Sequence, residues 1–201
     1  NDANIVIDAM THAGLDNKGV LLANHVLYNG TENVTPFITN RHKKFMEKSI
    51  ALTSDKKVGI NDVDIKTVPT FGHDKDYESI GFKFFTSRFV LTYSSNTSYN
   101  EALIEHYKDS NILILNVKNP GDEKEKGFLC TEDAIKIAEK VKPRMLVITG
   151  FGSKMLREDP LFQAREIQKR TGVQTTAAKA GQLIDPVSYN VNLKQKSLKY
   201  F

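Results

Sequence analysis

The chain has 201 residues, of which 40% are apolar, so it is long enough to bury one substantial hydrophobic core. Its 28 lysines and arginines against 24 acidic residues give a net charge of +4. Because these charges are interspersed along the chain, nucleic-acid binding is not indicated. No apolar run approaches the length that spans a bilayer, so no membrane association is expected.

Cysteine usage bears on the cellular compartment. The chain contains one cysteine, Cys130, which excludes an internal disulfide and favours a reducing environment. No basic-then-apolar leader opens the chain. We therefore expect a cytoplasmic protein.

The first half of the chain is predicted to consist mainly of short strands. Apolar residues at helical spacing around Ile5 predict a first helix that ends at Gly14, and residues 19–30, GVLLANHVLYNG, predict a buried strand. Residues 36–47 are predicted to be a loop with a short helix. A meander and a hairpin are expected to follow, with these strands: Ile50–Leu52, Lys57–Ile60, Val63–Val68, 80–86 and 88–93.

In the second half, helices and strands alternate. Helices are predicted over 100–110, 130–143 and 159–172, with Asn100, Thr131 and Asp159 as their N-caps. Strands are predicted over 111–117, 144–150, 173–178 and 181–186. These patterns predict one domain over 1–201, of the α/β (α+β) class.

The segment Gly150-Phe151-Gly152-Ser153-Lys154 follows a predicted strand and is a candidate phosphate site. A P-loop needs four residues between its first glycine and Gly-Lys, and this segment does not have that spacing. It also lacks the third glycine of the dinucleotide fingerprint, and we expect no helix to start directly after it. A glycine turn is the simpler interpretation, with phosphate binding through Gly150, Gly152, Ser153 and Lys154 as the alternative.

His73 and Asp74 are adjacent in a loop, and imidazole and carboxylate are both ligands for zinc, manganese or iron. A catalytic zinc has three protein ligands as a rule, so one pair does not make a site. The other histidines show neither HxH nor HxxxH spacing: His12, His25, His42 and His106. His73 and Asp74 are therefore candidate ligands, with a surface or packed imidazole as the alternative.

Cys130 directly precedes a predicted helix, whose N-terminus would favour a thiolate. The interpretation we prefer is a small buried side chain, because unpaired cysteines are among the most buried residue types.

Five stretches spread over nearly the whole chain carry a family resemblance. They are DAMTHAG, VGINDVDIKTVPTFGHD, SIGFKFFTSRFVLTYSSNTSY, ILILNVKNPGDEKEKGFLCTEDAIKIAEKVKPRMLVITGFGSKMLRE and KRTGVQTTAAKAGQLID. In this order they resemble the metallo-β-lactamase fold superfamily, in particular an archaeal-type branch of metallohydrolase-like proteins. The resemblance implies an αββα sandwich with an incomplete N-terminal part, because the HxHxDH ligand cluster of the family is expected upstream of NDANIVIDAM.

The resemblance also identifies replaced metal ligands. The Thr-His-Phe-Gly of the family matches residues 149–152, so Gly150 stands where a metal-binding histidine is expected. The bridging aspartate of the family falls on Asn96. Phe128, in the segment Gly127-Phe128-Leu129, stands at the histidine of the Gly-His-Leu that relatives tend to carry. The loop histidine of the family falls on Gly72 or, with a shift of one residue, on His73.

Three hypotheses follow from the sequence. The first is a metallo-β-lactamase-fold protein of metal-dependent hydrolase ancestry whose centre is degenerate, with no metal or one weakly held zinc, manganese or iron ion, and with an interaction role. The second is an active hydrolase of phosphoester or lactone bonds, completed by ligands from an N-terminal segment or partner chain. The third is phosphate or nucleotide binding at residues 150–154. If the first strands of the family fold are missing, a sheet edge would be exposed, and we expect a homo-oligomer, a partner chain or additional residues of the gene product to cover it.

Overall fold

A computed structural model describes residues 2–74, 76 and 78–189, and the backbone of 191–193. The predicted domain, 1–201, therefore extends beyond the described residues at both ends. None of the helices in these ranges is long and apolar enough to cross a membrane.

The elements alternate as predicted in the second half of the chain. The helices are α1 (Asp2–Thr11), α2 (His25–Asn29), α3 (Asn40–Phe45), α4 (Ala102–Tyr107), α5 (Thr131–Val141), α6 (Ser153–Arg157) and α7 (Pro160–Thr171). The strands are β1 (Val20–Asn24), β2 (Lys48–Leu52), β3 (Lys57–Ile60), β4 (Val63–Val68), β5 (Gly81–Phe85) and β6 (Val90–Tyr93). They continue with β7 (Ile112–Asn119), β8 (Leu129–Cys130), β9 (Met145–Thr149), β10 (Gln174–Ala177), β11 (Gln182–Ile184) and β12 (Val191–Leu193).

A mixed sheet of eight strands dominates the described part of the chain. Its order is β10-β9-β7-β6-β5-β4-β3, with β8 paired to β7. Strands β10, β9, β7 and β6 are parallel, whereas β6, β5, β4 and β3 are antiparallel neighbours. The predicted 80–93 hairpin is confirmed as the β5–β6 pair, in which Phe85 lies opposite Val90.

The main core lies between this sheet and helices α4, α5, α6 and α7. Alternate residues of β7 face it: Leu113, Leu115 and Val117 are fully buried there. The amphipathic helix α5 adds Ala134, Ile135, Ile137 and Ala138 to the same cluster. The period-2 pattern of a strand and the period-3.6 pattern of a helix meet here, which explains why this half was predictable from sequence.

The N-terminal part departs from two predictions. The predicted strand over 19–30 is only β1, because its second half is helix α2. The side chain of Asn24 accepts a hydrogen bond from Val26 N at 2.7 Å and caps this helix, so a capping interaction overrides the apolar pattern. The predicted meander is also wrong for β2, which pairs in parallel with β1 instead of with β3.

The helix starts also need correction. The N-cap of α5 is Cys130 instead of Thr131, because Asp133 Oδ2 accepts a hydrogen bond from Cys130 N at 3.2 Å. Asp159 caps α7 as predicted, with Pro160 at the first helical position. Asn100 was predicted as the N-cap of α4, but Glu101 holds that position without a capping side-chain bond. Asn100 lies one residue earlier, and its Oδ1 accepts a hydrogen bond from Ala102 N at 2.9 Å.

Candidate functional site

Three loops and the end of one strand converge at the edge of the sheet where the parallel strands end. The loops follow β4, β6 and β9 and carry His73, Asn96 and Gly150, and Lys118 lies near the end of β7. The carboxyl ends of parallel strands are where open α/β sheets place their ligands. This edge therefore is the candidate site, and it contains most of the positions singled out from sequence.

His73 is fixed by contacts within this edge. Its Nε2 lies 2.9 Å from the carbonyl oxygen of Asn96, and its ring stacks edge-on against Phe128 with centroids 6.3 Å apart. A carbonyl oxygen only accepts, so Nε2 carries the proton in this contact. A nitrogen that carries a proton is not a metal ligand, so only Nδ1 of this ring is left for an ion.

Glycines decide which loop residue reaches the site. A Cβ on Gly72 would lie 2.2 Å from Ser98 Oγ, so this position has no room for a side chain. A Cβ on Gly127 would lie 2.7 Å from His73 Cε1 and 3.0 Å from Nδ1. The ring of His73 therefore lies against the backbone of Gly127, and it is His73 rather than Gly72 that approaches Asn96.

Asn96 is held by a second asparagine that the sequence analysis did not identify. Asn116, on β7, donates from Nδ2 to Asn96 Oδ1 at 2.9 Å and to the Tyr93 hydroxyl at 3.1 Å. Asn116 Oδ1 is buried and has no hydrogen-bond partner among the described residues. The position of the expected bridging carboxylate is thus occupied by a neutral pair of amides.

Gly150 packs against the same asparagine. It has a φ of +70°, and a Cβ on it would lie 3.0 Å from Asn116 Cγ and 3.3 Å from Asn116 Oδ1. Any other residue here would adopt a left-handed backbone and press on Asn116. The structure therefore brings His73, Asn96 and Gly150 together, with Asn116 as the link between the last two.

Asp74 lies outside this arrangement. Its side chain is 78% exposed and forms an ion pair with Lys126 Nζ at 3.1 Å. The carboxylate therefore pairs with a surface lysine, although its neighbour His73 contacts Asn96.

A lysine approaches the site at the Phe128 position. Lys118 Nζ lies 3.9 Å from the centroid of the Phe128 ring and 2.6 Å from Glu125 Oε1. Hydrogen bonds from Lys118 and then Asn119 lower the pKa of the Glu125 carboxyl. A positive charge thus lies on the ring that contacts His73, and the nearby carboxylate is paired with that charge. Lys118 was missed from sequence, although polar residues 116 and 118 alternate with apolar ones at the end of β7.

The phosphate-binding candidates lie at the start of α6. This helix starts at Ser153, so the expectation that no helix follows directly was wrong. The Gly152 amide donates to the carbonyl oxygen of Lys118 at 2.9 Å, and Lys154 Nζ forms an ion pair with Glu123 at 2.7 Å. Two of the groups that would hold a phosphate thus already have protein partners, and phosphate binding at residues 150–154 stays a prediction.

The remaining candidates are spread over other elements. Cys130 is buried, as expected, and burial is the main cause that raises the pKa of its thiol. His25 was assigned to a strand but is the first residue of α2. His42 lies in α3 and contacts Asp8 at 3.2 Å. Within the described ranges, no three His, Cys, Asp or Glu side chains are grouped so that they could hold a metal ion.

The sequence of the chain is similar to that of a known protein over most of its length. No family model matches the chain. The uncharacterized protein MJ1374 of Methanocaldococcus jannaschii is 28% identical over 182 residues, which cover 90% of this chain and 67% of that protein.

Solved structures are similar over most of the chain. The metallo-beta-lactamase fold protein YhfI from Bacillus subtilis superimposes with a TM-score of 0.69 at 13% identity, covering 89% of this chain and 70% of that one. Zn(2+)-bound PqqB from Methylobacterium extorquens gives 0.62 at 11% identity, with 86% and 65% covered. Igni18, a metallo hydrolase from Ignicoccus hospitalis, gives 0.60 at 10% identity, with 86% and 70% covered. This chain has the metallo-β-lactamase fold.

Proposed function

We propose that this protein has a degenerate metal centre on a scaffold of metal-dependent hydrolase ancestry, and that it acts through interactions instead of hydrolysis. The observation that carries the proposal is the composition of the edge around Asn116. Asn96 and Gly150 stand at two expected ligand positions there. The single imidazole, His73, uses its Nε2 on a backbone carbonyl.

The donor set around Asn116 does not fit a two-ion centre. Two divalent cations a few ångströms apart need anionic ligands between them, and the amide of Asn96 supplies none. Gly150 contributes no side chain, and the carboxylate of Asp74 is paired at the surface with Lys126. What is left is Nδ1 of His73, which would support at most one weakly held zinc, manganese or iron ion.

Metal analysis tests this proposal directly. The purified chain is incubated with Zn²⁺, Mn²⁺ or Fe²⁺, dialysed against a chelator, and measured by mass spectrometry of the metals. We expect no retained ion, and before chelation at most one ion per chain, which His73→Ala removes. The exposed histidine variant His12→Ala is the matched control and should bind as the wild type does. Two ions retained per chain after chelation would contradict the proposal.

A second candidate function is an active metal-dependent hydrolase of phosphoester or lactone bonds. It is supported by the coverage of the related proteins, since 67% of MJ1374 and 70% of YhfI are matched and the unmatched parts would hold further ligands. In this hypothesis His73 and Asp74 act as ligands together with residues of an additional segment or a partner chain.

Hydrolysis assays separate the two functions. Activity is measured on bis-p-nitrophenyl phosphate and on a simple lactone, with added Zn²⁺ or Mn²⁺, for the wild type, His73→Ala and Asp74→Ala. The degenerate centre predicts no activity above background in any of them. Activity that falls at least about tenfold in His73→Ala would favour the hydrolase, since loss of one ligand typically costs that much or more.

An interaction role needs a surface, and we propose the apolar patch formed by Ile5, Val6, Leu27 and Phe37. All four side chains are large, apolar and more than 40% exposed. The Asn4 amide binds the Phe37 carbonyl at 2.8 Å and the Phe37 amide binds the Leu27 carbonyl at 3.0 Å, so the three segments are adjacent. A second copy of the chain would cover this patch, as expected for exposed apolar surface.

A further inference from the structure

Three lysines lie side by side on one face of the large sheet. In the antiparallel ladder, Lys57 of β3 lies directly opposite Lys66 of β4, and Lys66 lies directly opposite Lys83 of β5. Residues directly opposite each other point to the same face with their Cβ atoms about 5 Å apart, and like charges in such pairs are destabilising. This row of ammonium groups therefore costs the fold stability unless something compensates it.

The C-terminal end of α4 closes one side of the row and forms a groove, which we call the lysine groove. It has a volume of about 280 Å³ and is lined by Lys57, Lys66, Lys83, Phe85, Glu105, His106, Lys108 and Asp109. Four lysines thus face the carboxylates of Glu105 and Asp109 in the lining, and Asp55 contacts Lys66 and His106 from outside it. The groove lies outside the edge of the sheet that contains His73 and Asn96, and nothing in the metal-centre hypotheses uses it.

The four lysines do not have equal roles. Lys83 is buried, and its Nζ donates to the carbonyl oxygens of His106, at 3.2 Å, and of Lys108. These bonds satisfy carbonyl groups at the C-terminal end of α4. Burial is the main cause that lowers the pKa of Lys83; the charge of Asp109 opposes this effect, and the charge of Lys66 adds to it. Lys83 therefore supports the floor of the groove and adds to its positive potential.

Lys57, Lys66 and Lys108 lie at the rim. Lys66 Nζ is 3.3 Å from Asp55 Oδ1, and because the Asp55 side chain is more than half exposed, this ion pair contributes little. Neither Lys57 nor Lys108 has an ion-pair partner in the part of the chain that the structure describes. The carboxylates nearby thus leave an excess of positive charge, with flexible ammonium donors around a small cavity.

We infer that the lysine groove binds a phosphate group of a small molecule. A compact dianion would be contacted by several ammonium donors at once and would remove the repulsion within the ladder. The volume suits one phosphate group with a small organic part. The partly exposed ring of Phe85, whose centroid is 5.5 Å from Lys83 Nζ, offers an apolar surface for that part. This inference is independent of the metal centre.

Calorimetric titration with inorganic phosphate and with pyrophosphate at low ionic strength tests the inference. The wild type should bind both saturably, pyrophosphate more tightly. The double variant Lys57→Gln/Lys66→Gln should bind at least about tenfold more weakly, since it removes two charge-assisted contacts. The matched control Lys43→Gln/Lys44→Gln removes the same charge from α3 and should bind as the wild type does. No saturable binding by the wild type, or equal weakening in both variants, would overturn the inference.

Thermal unfolding gives a second, independent readout. Without phosphate at low salt, the double variant Lys57→Gln/Lys66→Gln should melt at a higher temperature than the wild type, because the repulsion between neighbouring lysines is relieved. Phosphate should then raise the melting temperature of the wild type and leave that of the variant unchanged. A single-stranded oligonucleotide is the competing probe. If it binds through Lys57 and Lys66 while phosphate and pyrophosphate do not, the small-molecule assignment is wrong.

Discussion

Asn116 is the residue on which the candidate site depends. It donates hydrogen bonds to Asn96 and Tyr93 through its amide nitrogen, and it lies so close to Gly150 that a side chain at position 150 would press on it. The buried Oδ1 of Asn116 has no hydrogen-bond partner among the described residues. Asn96 and Gly150, the two positions at which the sequence resemblance leads us to expect metal ligands, thus share one contact residue.

The first prediction at this scale concerns Gly150. We expect Gly150→Ala to lower the free energy of unfolding by about 1–2 kcal/mol for the left-handed backbone alone, and further because the new Cβ meets Asn116. Gly172→Ala is the control, since Gly172 has a φ of +71° and open space around its Cβ position. Urea unfolding of both variants isolates the packing contribution. Equal losses of unfolding free energy in the two variants would show that Asn116 moves away from the new Cβ without a cost in stability.

The thiol of Cys130 supports a prediction on pH. Burial raises its pKa in the folded state, so the unfolded chain releases this proton at lower pH than the folded chain does. The resulting stabilisation is complete below the pKa of an unfolded cysteine, about 8.5, and is lost as pH rises through the folded value. We expect the free energy of unfolding to fall more between pH 7.5 and pH 10, roughly the range around that pKa, in the wild type than in Cys130→Ala. Parallel curves for the two proteins would contradict this assignment.

At the scale of elements, the start of α5 is fixed by a buried carboxylate. Asp133 accepts a hydrogen bond from Cys130 N at one oxygen and lies 2.5 Å from Lys124 Nζ at the other. The carboxylate thus caps the helix and carries a charge that has a partner, although its side chain is only 3% exposed. These bonds join the loop after β7 to the helix that packs on the main core.

Asp133→Ala should therefore cost about 2–3 kcal/mol of stability, because it removes both the cap and a partly buried ion pair. The neighbouring acid is a matched control. Glu132→Ala breaks a contact with Arg170 near the surface and should cost under about 1 kcal/mol. Chemical denaturation of both variants measures the difference. A loss in Glu132→Ala as large as that in Asp133→Ala would contradict the role of the cap.

At the scale of the whole molecule, the two faces of the large sheet differ. Helices α4, α5, α6 and α7 pack on one face, and the buried side chains between them and the sheet form the main core. The other face is covered partly by the β1–β2 unit, and an apolar pocket of about 460 Å³ lies between them. The apolar patch at Phe37 borders this pocket. Incomplete cover of an apolar face is a reason for association with another chain.

We therefore expect the protein to self-associate through that patch. Sedimentation velocity over a range of concentrations should show a dimer that the double variant Ile5→Ser/Phe37→Ser converts to a monomer. The control Leu156→Ser/Phe162→Ser alters two equally exposed apolar residues of α6 and α7 and should leave the dimer intact. A wild type that is monomeric at all concentrations would contradict the prediction.

Local patterns predicted the parts of the fold that local interactions determine. Strand β7 and helix α5 followed from apolar periodicity, and α7 from Asp159 and Pro160. The prediction failed at residues 19–30, where the capping side chain of Asn24 ends a strand that hydrophobicity would have continued. It also failed for β2, because strand pairing depends on contacts between distant segments that periodicity does not reveal.

The sequence by itself determined the alternation of the longer helices and strands in the second half, although not the short elements β8 and α6, and the residue types at positions 96 and 150. Both are properties of short stretches of chain. Only the tertiary structure decided that His73 binds the Asn96 backbone, that Asn116 links Asn96 to Gly150, and that three lysines lie in one row. Those facts depend on the register between strands and on loops brought together from distant parts of the chain, and strand register is set by packing of the whole sheet.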